Sequence, residues 1–237
     1  MSPTSPDRAF DQDQTSRVAL GSSGFGHETL FHRRRAFELV YSQSHMSNDG
    51  TGRGRPRGFD TDEILDQSVD VFWKRGLSGA TSRALEQDLG ISQSSLYNAF
   101  ESKEELLSRA IERYGEALDS EVLTHLDTDD ADRASLHRFL DAVTEWVSDD
   151  NHRGCLLLNL ATESSDGAQR AKLYRTRLRR LVGGAVRSFA TDPTTVTART
   201  EVIVSAVLGL NITARSGASK NELRRLRDGV KHQIQAW

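Results

Sequence analysis

Five side chains able to read nucleic acid fall close together: Gln93, Ser94, Ser95, Tyr97 and Asn98. Amide, hydroxyl and phenol groups hydrogen-bond base edges and phosphate oxygens. Between and after them only Leu96 and Phe100, at i and i+4, are apolar enough to anchor a helix, so the five polar groups face away from whatever that helix packs on. A helix this short is not stable alone and requires a scaffold.

The flanking residues supply one. Thr81 is a good N-cap for a helix over residues 82–88, with Ala84, Leu85 and Leu89 on its apolar side, and Gly90 permits the left-handed backbone that ends it sharply. Ser92 caps the polar helix. Ser102 and Glu105 form a capping box for a third, longer helix. Lys103 in its first turn opposes the helix dipole, which predicts an external anionic partner. Upstream, Asp60 and Glu63 cap a helix whose inner face is Ile64, Leu65, Ser68, Val69, Phe72 and Trp73, closed by Gly76. Helix, glycine turn and exposed polar helix make a helix-turn-helix arrangement, although an ordinary helical hairpin has the same spacing.

Residues 59–107 resemble the DNA-binding domain of the TetR (tetracycline repressor) family through FWKRG, ATS, LGIS, SLYNAF and SKEELL at matching intervals. The resemblance implies that Gln93, Ser94, Ser95, Tyr97 and Asn98 lie in or beside the major groove. It also implies that Thr81, Ser82, Tyr97 and Lys103 touch phosphates and that Arg83 lies near the groove. The sequence departs from the family pattern twice. Ala99 stands where His is frequent, and Glu86 replaces a small residue, leaving a carboxylate that must reach solvent or a partner.

Composition gives no general affinity for nucleic acid. The net charge is −3. Residues 51–110 carry eight basic and ten acidic side chains, so charge distribution must matter more than its sum. A chain of 237 residues, 36% hydrophobic, can bury a core, and its four prolines and lack of strand-like alternation predict an all-α protein. One cysteine excludes an intramolecular disulfide. The absence of a signal-like segment or of about 20 continuous apolar residues predicts a cytoplasmic location.

Residues 1–50 are rich in Ser, Gly, Asp and Gln and read as a disordered extension, the part before Met46 as an upstream addition. Residues 51–58 form a basic arm. Arg53, Arg55 and Arg57, spaced by Gly and Pro, resemble the core of an AT-hook that lies in a narrow minor groove, a generic linker being the alternative. The helix-turn-helix domain is placed at residues 59–105 and a helical effector-binding and dimerisation domain at 106–237.

Within the second part, Leu106, Leu107, Ala110, Ile111, Tyr114, Leu118 and Val122 predict a long helix that could act as a lever. Asp127, Asp129, Asp130 and Asp132 lack the Gly and Glu of a calcium loop and read as an acidic turn and helix cap. Residues 153–163 form a short apolar helix; an R-G-C-L-like helix also occurs in one branch of the family. Asp166 and Gln169 are expected to cap the next helix, with Leu173, Leu178, Leu181, Val182, Ala185, Val186 and Phe189 inward and Pro193 helping to end it. Residues 202–210 are apolar almost all round, which predicts cover on two sides. The family resemblance implies a homodimer through the last two helices and a small apolar effector. Trp146, Cys155, Asn159, Thr162, Tyr174 and Asn211 are the candidate lining, each with a plain structural alternative.

Cys155, near His152 and Arg153, is the one potentially reactive group: an electrophile or oxidant sensor if a cation lowers its pKa, an inert buried thiol otherwise. No metal site and no cofactor is expected. The function these readings support is a sequence-specific, double-stranded DNA-binding transcriptional regulator, not an enzyme, acting as a homodimeric, ligand-relieved repressor on a palindromic operator. The competing readings are an effector-independent architectural DNA-binding protein and a Cys155-dependent thiol enzyme.

Overall fold

A computed structural model describes residues 59–148 and 154–237. The extension over 1–50, the arm bearing Arg53, Arg55 and Arg57, and His152 and Arg153 lie outside the described residues.

Among the described residues there are helices and no β-strand, as the composition predicts. The helices are α1 (Thr61–Gly79), α2 (Ser82–Leu89), α3 (Gln93–Phe100), α4 (Lys103–Glu121), α5 (Arg133–Val147), α6 (Leu156–Leu160), α7 (Ser165–Arg187), α8 (Pro193–Arg215) and α9 (Lys220–Ala236), with a 3-10 turn at Leu123–His125. Asp60, Thr81, Ser92, Ser102, Asp132 and Ser219 cap their helices through side-chain oxygens. At Asp132 the backbone N–H and hydroxyl of Ser135 both donate to the carboxylate and hold it below the usual range.

Three details depart from the sequence expectations. Gly76 does not end α1 but kinks it, at φ 69° and ψ −178°, and the helix resumes to Gly79. Ser164, rather than Asp166 with Gln169, caps α7. Gly167 in its first turn passes so close to the Leu160 carbonyl that a β-carbon would collide with it, so the turn is set by contact with α6 as well as by its caps. Pro193 opens α8 behind the Asp192 cap instead of closing α7.

The long α4 packs along α1, and α7 packs on α8, with α5 and α9 completing the body. The inward set on α7 is as expected except for Leu173, which is 61% exposed, and Phe189, which is half-buried beneath the guanidinium of Arg133, 4.3 Å from the ring centre. Helix α8 is long and apolar enough to span a bilayer by length and composition, contrary to the expectation that no segment comes near. It carries Arg199 and Glu201 and packs against α5, α7 and α9, as a core helix does.

Trp73, Tyr114 and Trp146 meet where α1, α4 and α5 converge, with ring centres 4.9–5.7 Å apart. Tilted and edge-on pairs of this kind stabilise a core by about 0.5–1.5 kcal/mol beyond their area burial. This cluster joins the scaffold of the polar helix to the body.

Candidate nucleic-acid interface

Helix α3 is fixed by Leu96 and Phe100, both fully buried. Each contributes about 1.5–3 kcal/mol through burial, enough to hold two turns that would not persist alone. Its capping hydroxyl, Ser92 Oγ, accepts from the Ser95 N–H at 3.2 Å, and α2 before it ends at Gly90 with φ 66°. The pair α2–α3 is tied to α1 by the Arg75–Asp88 ion pair and by buried Leu85 and Leu89.

This places Gln93, Ser94 and Asn98 in solvent and leaves Ser95 and Tyr97 half-buried. The Ser94 and Ser95 hydroxyls both lie within hydrogen-bond distance of Ser92 Oγ, at 3.1 and 2.9 Å, so local bonds compete with any external partner. Thr81 and Arg83 are exposed at the start of α2. Ser82 is half-buried and its hydroxyl lies 2.8 Å from that of Tyr97, bringing two of the four expected phosphate-contacting groups together across the α2–α3 crossing. Lys103 donates from Nζ to the Leu77 carbonyl at 3.0 Å, an internal bond that uses one of its three donors. Glu86, the carboxylate at the crossing, reaches solvent. Glu101, just after α3, has φ 64°, a conformation that residue type gives no hint of.

The six candidate lining residues differ in exposure, and two of them, Trp146 and Cys155, meet at the Tyr114 hydroxyl. Trp146, Cys155, Tyr174 and Asn211 are buried, Asn159 is half-buried and Thr162 is exposed. Trp146 Nε1 donates to the Tyr114 hydroxyl at 2.8 Å, and Asn211 Nδ2 donates to the Val207 carbonyl one turn back. A separate cleft of about 550 Å³ opens between residues 126–131 and α7, lined by Arg180, Arg187, Asp127 and Asp129. None of the six lies in it.

Cys155 does not have the environment of an activated thiolate. It is buried, Tyr114 donates to its sulfur at 3.2 Å, and burial pushes the thiol pKa up rather than down. Native protein should therefore alkylate with iodoacetamide on the order of 100-fold more slowly than the denatured chain at pH 8. Comparable rates would show that the thiol is accessible and ionised.

Residues 64–110 match the model of bacterial regulatory proteins of the tetR family. The chain is 27% identical over 197 residues to the HTH-type transcriptional repressor ComR of Escherichia coli K12, covering 76% of this chain and 94% of ComR. Among solved structures, the TetR-family transcriptional regulator CifR, a cysteine mutant complexed with a 26-base-pair double-strand operator, is 28% identical and superposes with a TM-score of 0.67 over 78% of this chain and all of that one. SCO4454 from Streptomyces coelicolor, at 12% identity and a TM-score of 0.63, shares the fold.

Proposed function

We infer the mode of action from what the chain is, a TetR-like DNA-binding transcriptional regulator with an N-terminal helix-turn-helix domain and a helical body. We propose that it works as a homodimeric repressor on a palindromic operator in the cytoplasm, released when a small molecule enters the body. The observation that carries the reading is α3: two buried anchors and a solvent-facing set of Gln93, Ser94 and Asn98, with Tyr97 and Ser82 paired beside it. Residues 59–105 form the reading domain, residues 106–237 the effector-binding and dimerisation domain, and Arg53, Arg55 and Arg57 a minor-groove arm. Operator complexes of CifR and the repressor activity named for ComR support this assignment.

Fluorescence anisotropy on DNA from immediately upstream of the protein's own gene, against scrambled DNA at two salt concentrations, tests it. Selective, salt-sensitive binding is the expected result. Tyr97→Ala and Lys103→Ala should then weaken binding to all sequences about equally, and Lys103→Ala, which removes a cation from the phosphates, should reduce the salt slope by about one. Gln93→Ala should instead alter preference at one base-pair position, by about 1–3 kcal/mol. An unchanged preference would mean that Gln93 does not read bases. A metabolite screen on the same assay separates a ligand-relieved repressor from an effector-independent architectural protein, whose affinity no compound would change.

A further inference from the structure

The end of α1 is gripped from two directions at one peptide unit. Glu163, on the connection between α6 and α7, accepts the Leu77 N–H at 2.7 Å and the Ser78 N–H at 3.2 Å through one carboxylate oxygen. Lys103, in the first turn of α4, donates to the carbonyl of the same Leu77. The grip depends on the kink: Gly76 occupies a backbone region open essentially to glycine alone, and a β-carbon there would stand 2.5 Å from Glu163 Oε1.

Position gives this contact its meaning. Leu77 and Ser78 lie between the kink and the Thr81 cap of α2, so they are the chain that delivers the helix-turn-helix pair. Lys103 begins the helix that follows α3. A second tie runs parallel, from Trp73 Nε1 on α1 to the Gly154 carbonyl at 3.1 Å. Gly154 and Glu163 lie on either side of the five-residue α6, which is therefore fastened to α1 at both ends. The two ties join α6 to the segment from which α2 departs. This connection is distinct from the lever offered by α4.

We propose that Glu163 is a positioning residue for DNA recognition: its carboxylate holds the kinked end of α1 to the body and so sets the angle at which α2 and α3 meet DNA. A charged acceptor makes stronger bonds to backbone N–H groups than a neutral one, and without it only the Lys103 bond to the Leu77 carbonyl is left of the grip beyond the Gly76 kink. The role rests on the DNA-binding reading. In a dimer it would appear as strictness toward half-site spacing, because the angle fixes the separation of the two recognition helices.

The test compares full-length wild type, Glu163→Ala and Glu163→Gln in three measurements: thermal melting, amide exchange over the peptide containing Leu77 and Ser78, and anisotropy on operators with the natural spacing or one base pair inserted. In Glu163→Ala, exchange at Leu77 and Ser78 should accelerate at least about tenfold. Discrimination against the inserted base pair should fall from about tenfold or more to about twofold. Glu163→Gln, which keeps one acceptor oxygen, should restore part of both. A purely structural contribution would change melting and overall affinity while leaving the spacing profile intact, and that result overturns the proposal. Unchanged exchange in Glu163→Ala also overturns it, as does failure of both variants to fold. Absence of selective binding by the wild type sinks the DNA-binding reading and this role with it, whereas selective wild-type binding with an unaltered spacing profile in Glu163→Ala sinks the role alone.

Discussion

Tyr114→Phe is expected to lower the melting temperature by about 4–24 °C although it removes a single oxygen. That oxygen is filled to capacity. Trp146 Nε1 donates to it at 2.8 Å, the Leu156 N–H donates to it at 3.2 Å, and its own proton goes to Cys155 Sγ. Burial is complete and pushes the phenol pKa well above its ordinary value, which favours the protonated, donating form. Phenylalanine fills the same ring volume but leaves two buried donors without an acceptor, at about 1–3 kcal/mol each. For a chain of this size each kcal/mol corresponds to about 2–4 °C.

The useful control for that change is Tyr97→Phe, whose hydroxyl has one surface-accessible partner in Ser82 and whose removal should cost under about 1 kcal/mol. A Tyr114→Phe melt within about 2 °C of wild type would mean that the neighbouring groups re-pair, and that the joint between α1, α4, α5 and α6 is held by ring packing alone.

How much of the molecule is legible in the sequence follows the range of the interaction. Thr81, Gly90, Ser92 and Ser102 act on backbone groups within a few residues, so their roles can be read from type and spacing, and with them the whole helix-turn-helix unit. The start of α7 is obscured because an Asp-x-x-Gln pattern competes with Ser164, and the deciding fact, the passage of Gly167 over Leu160, belongs to packing against another helix. Leu173 keeps the period of its inward neighbours yet faces solvent, since periodicity marks an apolar stripe without saying how wide the cover is. Glu163 is invisible for a stronger reason. Its partners are 85 and 86 residues away, and a glutamate ending an apolar helix looks like any solvated charge. Only Gly76, whose type suggests a helix terminator, hints that something approaches the backbone there.

The larger effect on function is expected at the other end of the molecule, where Ile212→Glu should split the proposed dimer. Helix α8 presents Val202, Ser205, Gly209 and Ile212 along one exposed stripe, Val202 and Ile212 being 49% and 71% exposed. Leu226 on the adjacent α9 is 44% exposed, and a β-carbon at Gly209 or Gly229 would meet only open space. The second side of the apolar α8 that the sequence requires to be covered is thus left bare by a single copy. Burying one Ile side chain contributes about 1.5–3 kcal/mol, and two-fold symmetry counts it twice. Forfeiting about 3–6 kcal/mol raises the dimer dissociation constant by roughly two to four decades, before adding the cost of burying a carboxylate from each copy. Sedimentation velocity at micromolar concentration should show a monomer with wild-type helicity. Operator affinity should fall with it, because one recognition helix retains only its own half-site. Leu173→Glu, on the comparably exposed position of α7, should leave the dimer intact. If Leu173→Glu dissociates the protein and Ile212→Glu does not, the interface runs along α7 and the spacing of the two recognition helices is set from there.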